Sequence, residues 1–180
     1  GFAQHGVIPD IATMGKPMGN GYPISAVVTS ADVVEAFQQD AHYFNTFGGT
    51  PVACAAALAV LEVVEQEGLQ SNALETGNYL RAGLQDLAAQ YDIIGDIRGS
   101  GLFIGVDLVR DRDSREPATT ETDRIVNLLK ERGVLISSTG RHDNILKIRP
   151  PIVFSKENAD LLLGRFADVL NEVKSGPHGA

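Results

Sequence analysis

The sequence predicts a fold of the α/β or α+β class, and three observations lead to it. Short apolar runs punctuated by Gly and Pro alternate with longer stretches of helical periodicity, no segment repeats internally, and the pattern divides near Gly68 into two regions. At 180 residues, 43% hydrophobic and 21% charged, the chain is ordinary globular material, able to bury a core and long enough for two small domains.

In the first region, "PDIATMGKPMGNGYPISAVVTS" places Lys16 at the end of an apolar run and follows it with Pro17, Gly19, Gly21 and Pro23. Glycine permits positive φ and close backbone approach, and proline ends hydrogen-bonded ladders, so the segment is expected to be strand, tight loop, strand. Lys16 then stands at a strand terminus, where ligands collect in α/β proteins. "SADVVEAFQQ" is expected to be a helix with Ser30 as N-cap, "DAHYFNTFGGTP" a loop, and Pro51 to about Glu67 a second helix. That helix is apolar nearly all round, which predicts burial on several sides, with Cys54 a buried structural thiol.

In the second region, "SNALETGNYLRAGLQDLAAQ" puts Leu74, Leu80, Leu84 and Leu87 at roughly helical spacing. "IGDIRGSGLFIGVDLV" reads as a strand, "RDRDSREPAT" as a charged exposed loop, and "TTETDRIVNLLKERG" as a helix with Thr120 and Asp123 as a capping pair. "VLISSTG" and "NILKIRPP" read as two strands joined by a polar turn. Ser155 is expected to cap a last helix, "KENADLLLGRFADVLNEV", before a frayed tail, "SGPHGA". A few-stranded sheet covered by helices is the expected second half.

Charge and composition narrow the function. A formal charge of −8, with no basic stripe, argues against a nucleic-acid partner. The single cysteine excludes an internal disulfide and fits a reducing compartment. No signal-peptide pattern and no long apolar run is present, so no membrane is expected and a cytoplasmic protein is the default. The chain opens at "GFAQHGVIPD" without an initiator methionine, so further upstream sequence is expected. "GSGLFIG" runs into a strand instead of opening a helix, which removes a dinucleotide fingerprint, and "MGKPMGNG" has its lysine in the wrong order for a phosphate-binding P-loop. His5, His42, His142 and His178 have neither i,i+4 spacing nor cysteine partners, so no metal site is expected.

Taken together, "PDIATMGKPMGNGYPISAVV", "YFNTFGGTPVACAAALAVLEV", "IGDIRGSGLFIGVDLV" and "LKIRPPIVFS" resemble the class III aminotransferases of the pyridoxal phosphate fold type I superfamily. The four blocks occur in the family's order and cover most of the chain. Within the family they are most similar to the branch of alanine–glyoxylate aminotransferase 2-like proteins and ethanolamine-phosphate phospho-lyases. The resemblance implies the C-terminal part of a fold type I transferase: residues 1–68 as the end of the large cofactor domain with its connecting helix, and residues 69–180 as a small α+β C-terminal domain.

It also implies roles. Lys16 aligns with the lysine that forms the Schiff base with pyridoxal 5'-phosphate, a role that suits an amine in a partly desolvated, cation-containing site. Without the resemblance, Lys16 reads as a surface lysine in a Gly-rich turn. Thr46 aligns with a threonine that binds the cofactor phosphate, usually from the partner subunit, so a homodimer is implied. A hydroxyl beside the N–H groups of Gly48 and Gly49 is suitable chemistry for a phosphate. Arg149 aligns with an arginine for the substrate carboxylate, which a guanidinium grips with a planar fork. Lys147, two residues earlier on the same strand face, leaves a phosphate-bearing substrate open.

The aspartate for the pyridine nitrogen, the aromatic residue stacked on the ring and the Gly-rich phosphate loop would all precede Gly1, and Asp10 is no substitute. The expected function is amino transfer between an amino acid or amine and a 2-oxo acid or aldehyde, by a complete protein of which this chain is a fragment. The alternatives are a phospho-lyase using the same cofactor on an amino-alcohol phosphate, and a non-catalytic folding or dimerisation module.

Overall fold

The structure is a computed structural model that describes residues 2–175, in two compact units that divide between Glu67 and Gly68. In the first unit, β1 (Ile11–Met14) and β2 (Ala26–Thr29) form an antiparallel pair, in register from Ile11 opposite Thr29 to Met14 opposite Ala26. The Thr29 hydroxyl donates to the Asp10 carbonyl at 2.7 Å and ties the open end of the pair. A 3-10 turn over Lys16–Gly19 begins the connection between the strands. Helix α1 (Ala31–Asp40) starts after Ser30, whose backbone is extended as an N-cap requires but whose hydroxyl makes no capping hydrogen bond, contrary to expectation. Helix α2 (Pro51–Gln66) is capped instead by Thr50, whose hydroxyl oxygen accepts from the Ala53 N–H at 3.4 Å. Pro51 sits in its first turn, where a missing N–H is harmless.

Two burial expectations fail in α2. Only Ala53 and Ala57 are buried, while Val52, Leu58 and Leu61 are exposed, and Cys54 is an exposed thiol. The physical reason is the size of the unit. A two-stranded sheet, one other helix and connecting turns cannot cover a helix that is apolar on every side.

The second unit is built from α3 (Leu69–Ala88), β3 (Ile94–Ser100), β4 (Phe103–Asp111), β5 (Glu116–Pro117), α4 (Thr119–Glu131), β6 (Ser137–Thr139), β7 (Ile145–Ile148) and α5 (Lys156–Ser175). Its sheet has the order β3-β4-β7-β6, with β5 also paired to β4, and every pairing is antiparallel. Helices α3 and α4 lie on the sheet, and α5 packs against both. Alternation along the strands buries Ile104, Val106 and Leu108 of β4 with Leu146 and Ile148 of β7, and Phe166 of α5 joins the same core. Residues 105, 107, 145 and 147 are thereby turned away from that core, which decides where Lys147 points.

Several sequence expectations are corrected here. The run 94–109 is a hairpin, because Gly101 takes a left-handed φ of +53° and turns the chain between β3 and β4. The hairpin tip meets α3 so closely that a Cβ on Gly77 would lie 2.1 Å from the Gly101 carbonyl oxygen. Leu74 is exposed, unlike Leu80, Leu84 and Leu87. Six residues before Leu80, it points about 120° off their stripe at roughly 100° per residue. The charged segment after β4 is a tight turn closed by β5, with Arg110 bound to Glu116 and Glu121 at 3.0 Å each. Thr120 and Asp123 do not cap α4, which starts one residue before Thr120. Ala118 is its N-cap residue, and the Thr119 hydroxyl donates to the His142 carbonyl at 2.6 Å.

The cap of α5 is as expected. The Ser155 hydroxyl accepts from the Asn158 N–H at 3.3 Å, and Asn158 Oδ1 accepts from the Ser155 N–H at 3.2 Å. Ser155→Ala is expected to lower unfolding free energy by about 1 kcal/mol, read from urea denaturation of the complete protein; an unchanged midpoint would remove the capping role. The expected tail after Ser175 lies outside the described residues.

Candidate active site

Lys16 follows β1 directly, and its backbone is what distinguishes it. It opens the 3-10 turn with φ +43°, in the left-handed region. A residue with a side chain pays roughly 1–2 kcal/mol there, and the residue before a proline is additionally biased toward extended backbone. The rest of the loop holds this conformation in place. Asn20, itself left-handed at φ 46°, donates its N–H to the Pro17 carbonyl at 3.0 Å, and the Tyr22 N–H donates to the Gly19 carbonyl at 3.0 Å. Gly19 is buried, and a Cβ there would come within 2.7 Å of Ile24 Cγ2. Helix α2 packs against the same turn. The Lys16 side chain stays exposed, and its amine has no hydrogen bond or ion pair among the described residues.

Thr46 lies in the loop before α2, on a turn built by a residue the sequence reading passed over. Asn45 Oδ1 accepts from the Phe47 N–H at 3.1 Å, its backbone carbonyl accepts from the Gly48 N–H at 3.4 Å, and its Nδ2 donates to the Tyr43 hydroxyl at 3.2 Å. This is an Asx turn, with Thr46 at its crown. An Asn two residues before the first bonded N–H and three before Gly48 was the available signal. Gly49 takes φ +65°, and the Thr46 side chain is exposed with no partner among the described residues. A hollow of about 1060 Å³ in this unit is lined by β2, Phe37 and Phe47, but neither Lys16 nor Thr46 lines it. Its apolar walls are those of an uncovered core.

Arg149 belongs to the second unit, one residue beyond β7 and ahead of Pro150 and Pro151. It is exposed, and its guanidinium has no partner among the described residues. With Lys147, Ser137 and Asn158 it lines a cavity of about 620 Å³ beside α5. Across the sheet, Lys147 is opposite Gly105 on one side and Ser137 on the other, so neither neighbour offers it a carboxylate. Among the described residues no cluster of three or more His, Cys, Asp or Glu could hold a metal, and no helix is long and apolar enough to cross a membrane.

Lys16 offers an amine, suited to a carbonyl, and Thr46 a hydroxyl, suited to a phosphate, each without a partner among the described residues. Asp10, immediately before β1, has its backbone carbonyl engaged by Thr29 and is exposed.

Comparison with known proteins shows the family. The chain is 47% identical over 174 residues to an alanine–glyoxylate aminotransferase 2-like protein of Drosophila melanogaster, covering 96% of this chain and 35% of that one. It is 49% identical over 154 residues to ethanolamine-phosphate phospho-lyase homolog 1 of Caenorhabditis elegans, covering 85% and 33%. The chain thus spans about a third of the length of these curated relatives. Its fold matches a phospholyase from Arthrobacter in complex with phosphoethanolamine, with a TM-score of 0.91 at 46% identity, over 98% of this chain and 41% of that chain. With the aminotransferase class-III family matching residues 1–170, the chain belongs to the class III aminotransferases.

Proposed function

We propose that the complete protein is a pyridoxal phosphate-dependent aminotransferase, moving an amino group between an amino acid or amine and a 2-oxo acid or aldehyde. The observation that carries this is Lys16: a lysine with an unengaged amine, held at φ +43° where glycine would be free of strain. Backbone strain persists where the surroundings over-determine it, and such positions cluster at functional sites.

When bound, pyridoxal phosphate supplies an electron sink that labilises bonds at the substrate carbon bearing nitrogen. Lys16 would hold the cofactor covalently, and its Nζ would take and return the α-proton. The Thr46 hydroxyl binds the phosphate and fixes its position, while the adjoining Phe47 and Gly48 N–H groups stay with Asn45 and hold the turn. Arg149 orients a carboxylate by paired N–H donors, which places the α-carbon for proton transfer. The homodimer belongs to this proposal, since Thr46 serves the partner's site. So does the assignment of residues 1–68 to the large domain and 69–180 to the small one. Cytoplasmic placement is proposed on the lone cysteine alone.

A second reading, phosphate elimination from an amino-alcohol phosphate, is favoured by one observation. Lys147 and Arg149 line one cavity without an acidic partner among the described residues, and two cations suit a phosphate dianion. Supplying the cofactor-loaded protein with an amino donor and a 2-oxo acid, and separately with phosphoethanolamine, distinguishes the readings. Keto-acid formation supports transfer, inorganic phosphate release supports elimination, and neither would sink both.

Residues 1–180 alone are expected to show negligible turnover and to associate through the exposed Val27, Val28 and Leu58. Size-exclusion chromatography and a transamination assay on that fragment test this, and brisk turnover by a monodisperse fragment would contradict it.

A further inference from the structure

Away from Lys16, Thr46 and Arg149, the second unit holds a concentration of positive charge that the proposed reaction does not use. A cavity of about 260 Å³ opens where the turn after β4 meets the turn between β6 and β7, and Arg112, Arg115 and Arg141 all line it. The chain carries a formal net charge of −8, so its overall field disfavours anions and a local excess of arginine runs against it.

Two carboxylates, Asp96 and Asp107, line the same cavity, and both are engaged by groups other than these three arginines. Asp107 accepts from Asn144 Nδ2 at 2.6 Å and from Arg98 Nη1 at 3.3 Å, and Asp96 accepts from the same Arg98 nitrogen at 2.7 Å. Arg112 is held rigid by backbone carbonyls, its Nε donating to Asp92 at 3.1 Å and its Nη2 to Ile94 at 3.0 Å. Carbonyl dipoles orient a guanidinium without cancelling its charge. Its Nη1 has only the Asp92 carboxylate, 3.7 Å away and 98% exposed. The side chains of Arg115 and Arg141 have no hydrogen bond or ion pair among the described residues. Arg115 also holds a left-handed φ of +57° at its turn.

We propose that this cavity is a binding site for a phosphate group, as free phosphate or a phosphate monoester, gripped by Arg115 and Arg141 over the fixed charge of Arg112. Guanidinium groups offer paired N–H donors that match phosphate oxygens, and several converging on one small space are strong together. The volume falls below the roughly 300–1,000 Å³ of ordinary small-molecule pockets, which suits a single compact anion.

The test is calorimetric titration at low ionic strength of the complete protein, saturated with cofactor so that its own phosphate site is filled. Inorganic phosphate and glycerol phosphate are the two probes, and the stronger binder identifies the source. In a Lys147→Ala/Arg149→Ala background, which removes the cation pair of the substrate cavity, one saturable site per chain is expected, weakened by about tenfold or more when Arg115→Ala and Arg141→Ala are added. The Arg115 and Arg141 side chains are free of internal bonds among the described residues, so their replacement should leave the circular dichroism spectrum unchanged. Binding that persists in that background separates the site from the substrate cavity. Absence of saturable binding there, or equal affinity after Arg115 and Arg141 are replaced, would each overturn the proposal.

Discussion

Replacing Lys16 with alanine in the complete protein is expected to abolish covalent attachment of the cofactor and nearly all turnover. Loss of a positioned acid–base group alone costs about 10²–10⁴-fold, and the covalent role is lost with it. Arginine should not rescue, because a guanidinium stays protonated and cannot attack a carbonyl. Borohydride treatment of the wild-type protein, followed by peptide mapping, should leave the pyridoxyl mass on the peptide containing "MGKPMGNGYP". Its appearance on Lys147 instead would move the active site. Lys16→Gly adds a readout that activity does not give. Since Lys16 sits at φ +43°, glycine should relieve strain and raise stability by about 1 kcal/mol while activity is lost. A glycine variant less stable than wild type in urea would show that the left-handed backbone is not held at a cost.

Arg149→Ala is the second large effect. Productive binding of carboxylate-bearing substrates should weaken by about 2–5 kcal/mol, as for loss of one partner from a desolvated charge pair, while simple amines lose far less. Steady-state kcat/KM for an amino acid and for the matching amine measures the difference. Equal losses would refute a carboxylate-specific role. Lys147→Ala sharpens the comparison: its cross-strand neighbours are Gly105 and Ser137, so removal leaves no stranded carboxylate. A Lys147→Ala protein that keeps amino acid transfer but loses action on phosphoethanolamine would move the assignment toward elimination.

The candidate site was legible in the sequence to different depths. Gly and Pro around Lys16 announced a tight loop after a strand, because those residues constrain backbone locally whatever surrounds them. That Lys16 itself takes the left-handed conformation was not legible, since lysine carries no preference for it; the Asn20–Pro17 bond and the Gly19–Ile24 contact impose it from outside. Asn45 went unnoticed because its role depends on where its amide points, and Asn is also simply a common loop residue. Lys147 and Arg149 were legible as neighbours on one face of a strand, whereas the burial of Leu146 and Ile148, which turns Lys147 away from the core, was decided by packing.

Signals local to the chain set the order of the five α-helices, the loop after Lys16, the Ser155 cap, and the four blocks that mark the family. Which apolar surfaces are covered, how many strands there are and which fold back on each other follow from packing. Leu74 and Leu80 are the same residue type in one helix, yet one is exposed and the other buried, because burial depends on the direction each faces and on what packs there. Gly101 could have continued a strand, but contact with Gly77 of α3 leaves room for a turn without side chains and makes it a hairpin. Periodicity records what one segment offers to its neighbours, whereas burial, pairing and backbone strain are set by the neighbours that accept it.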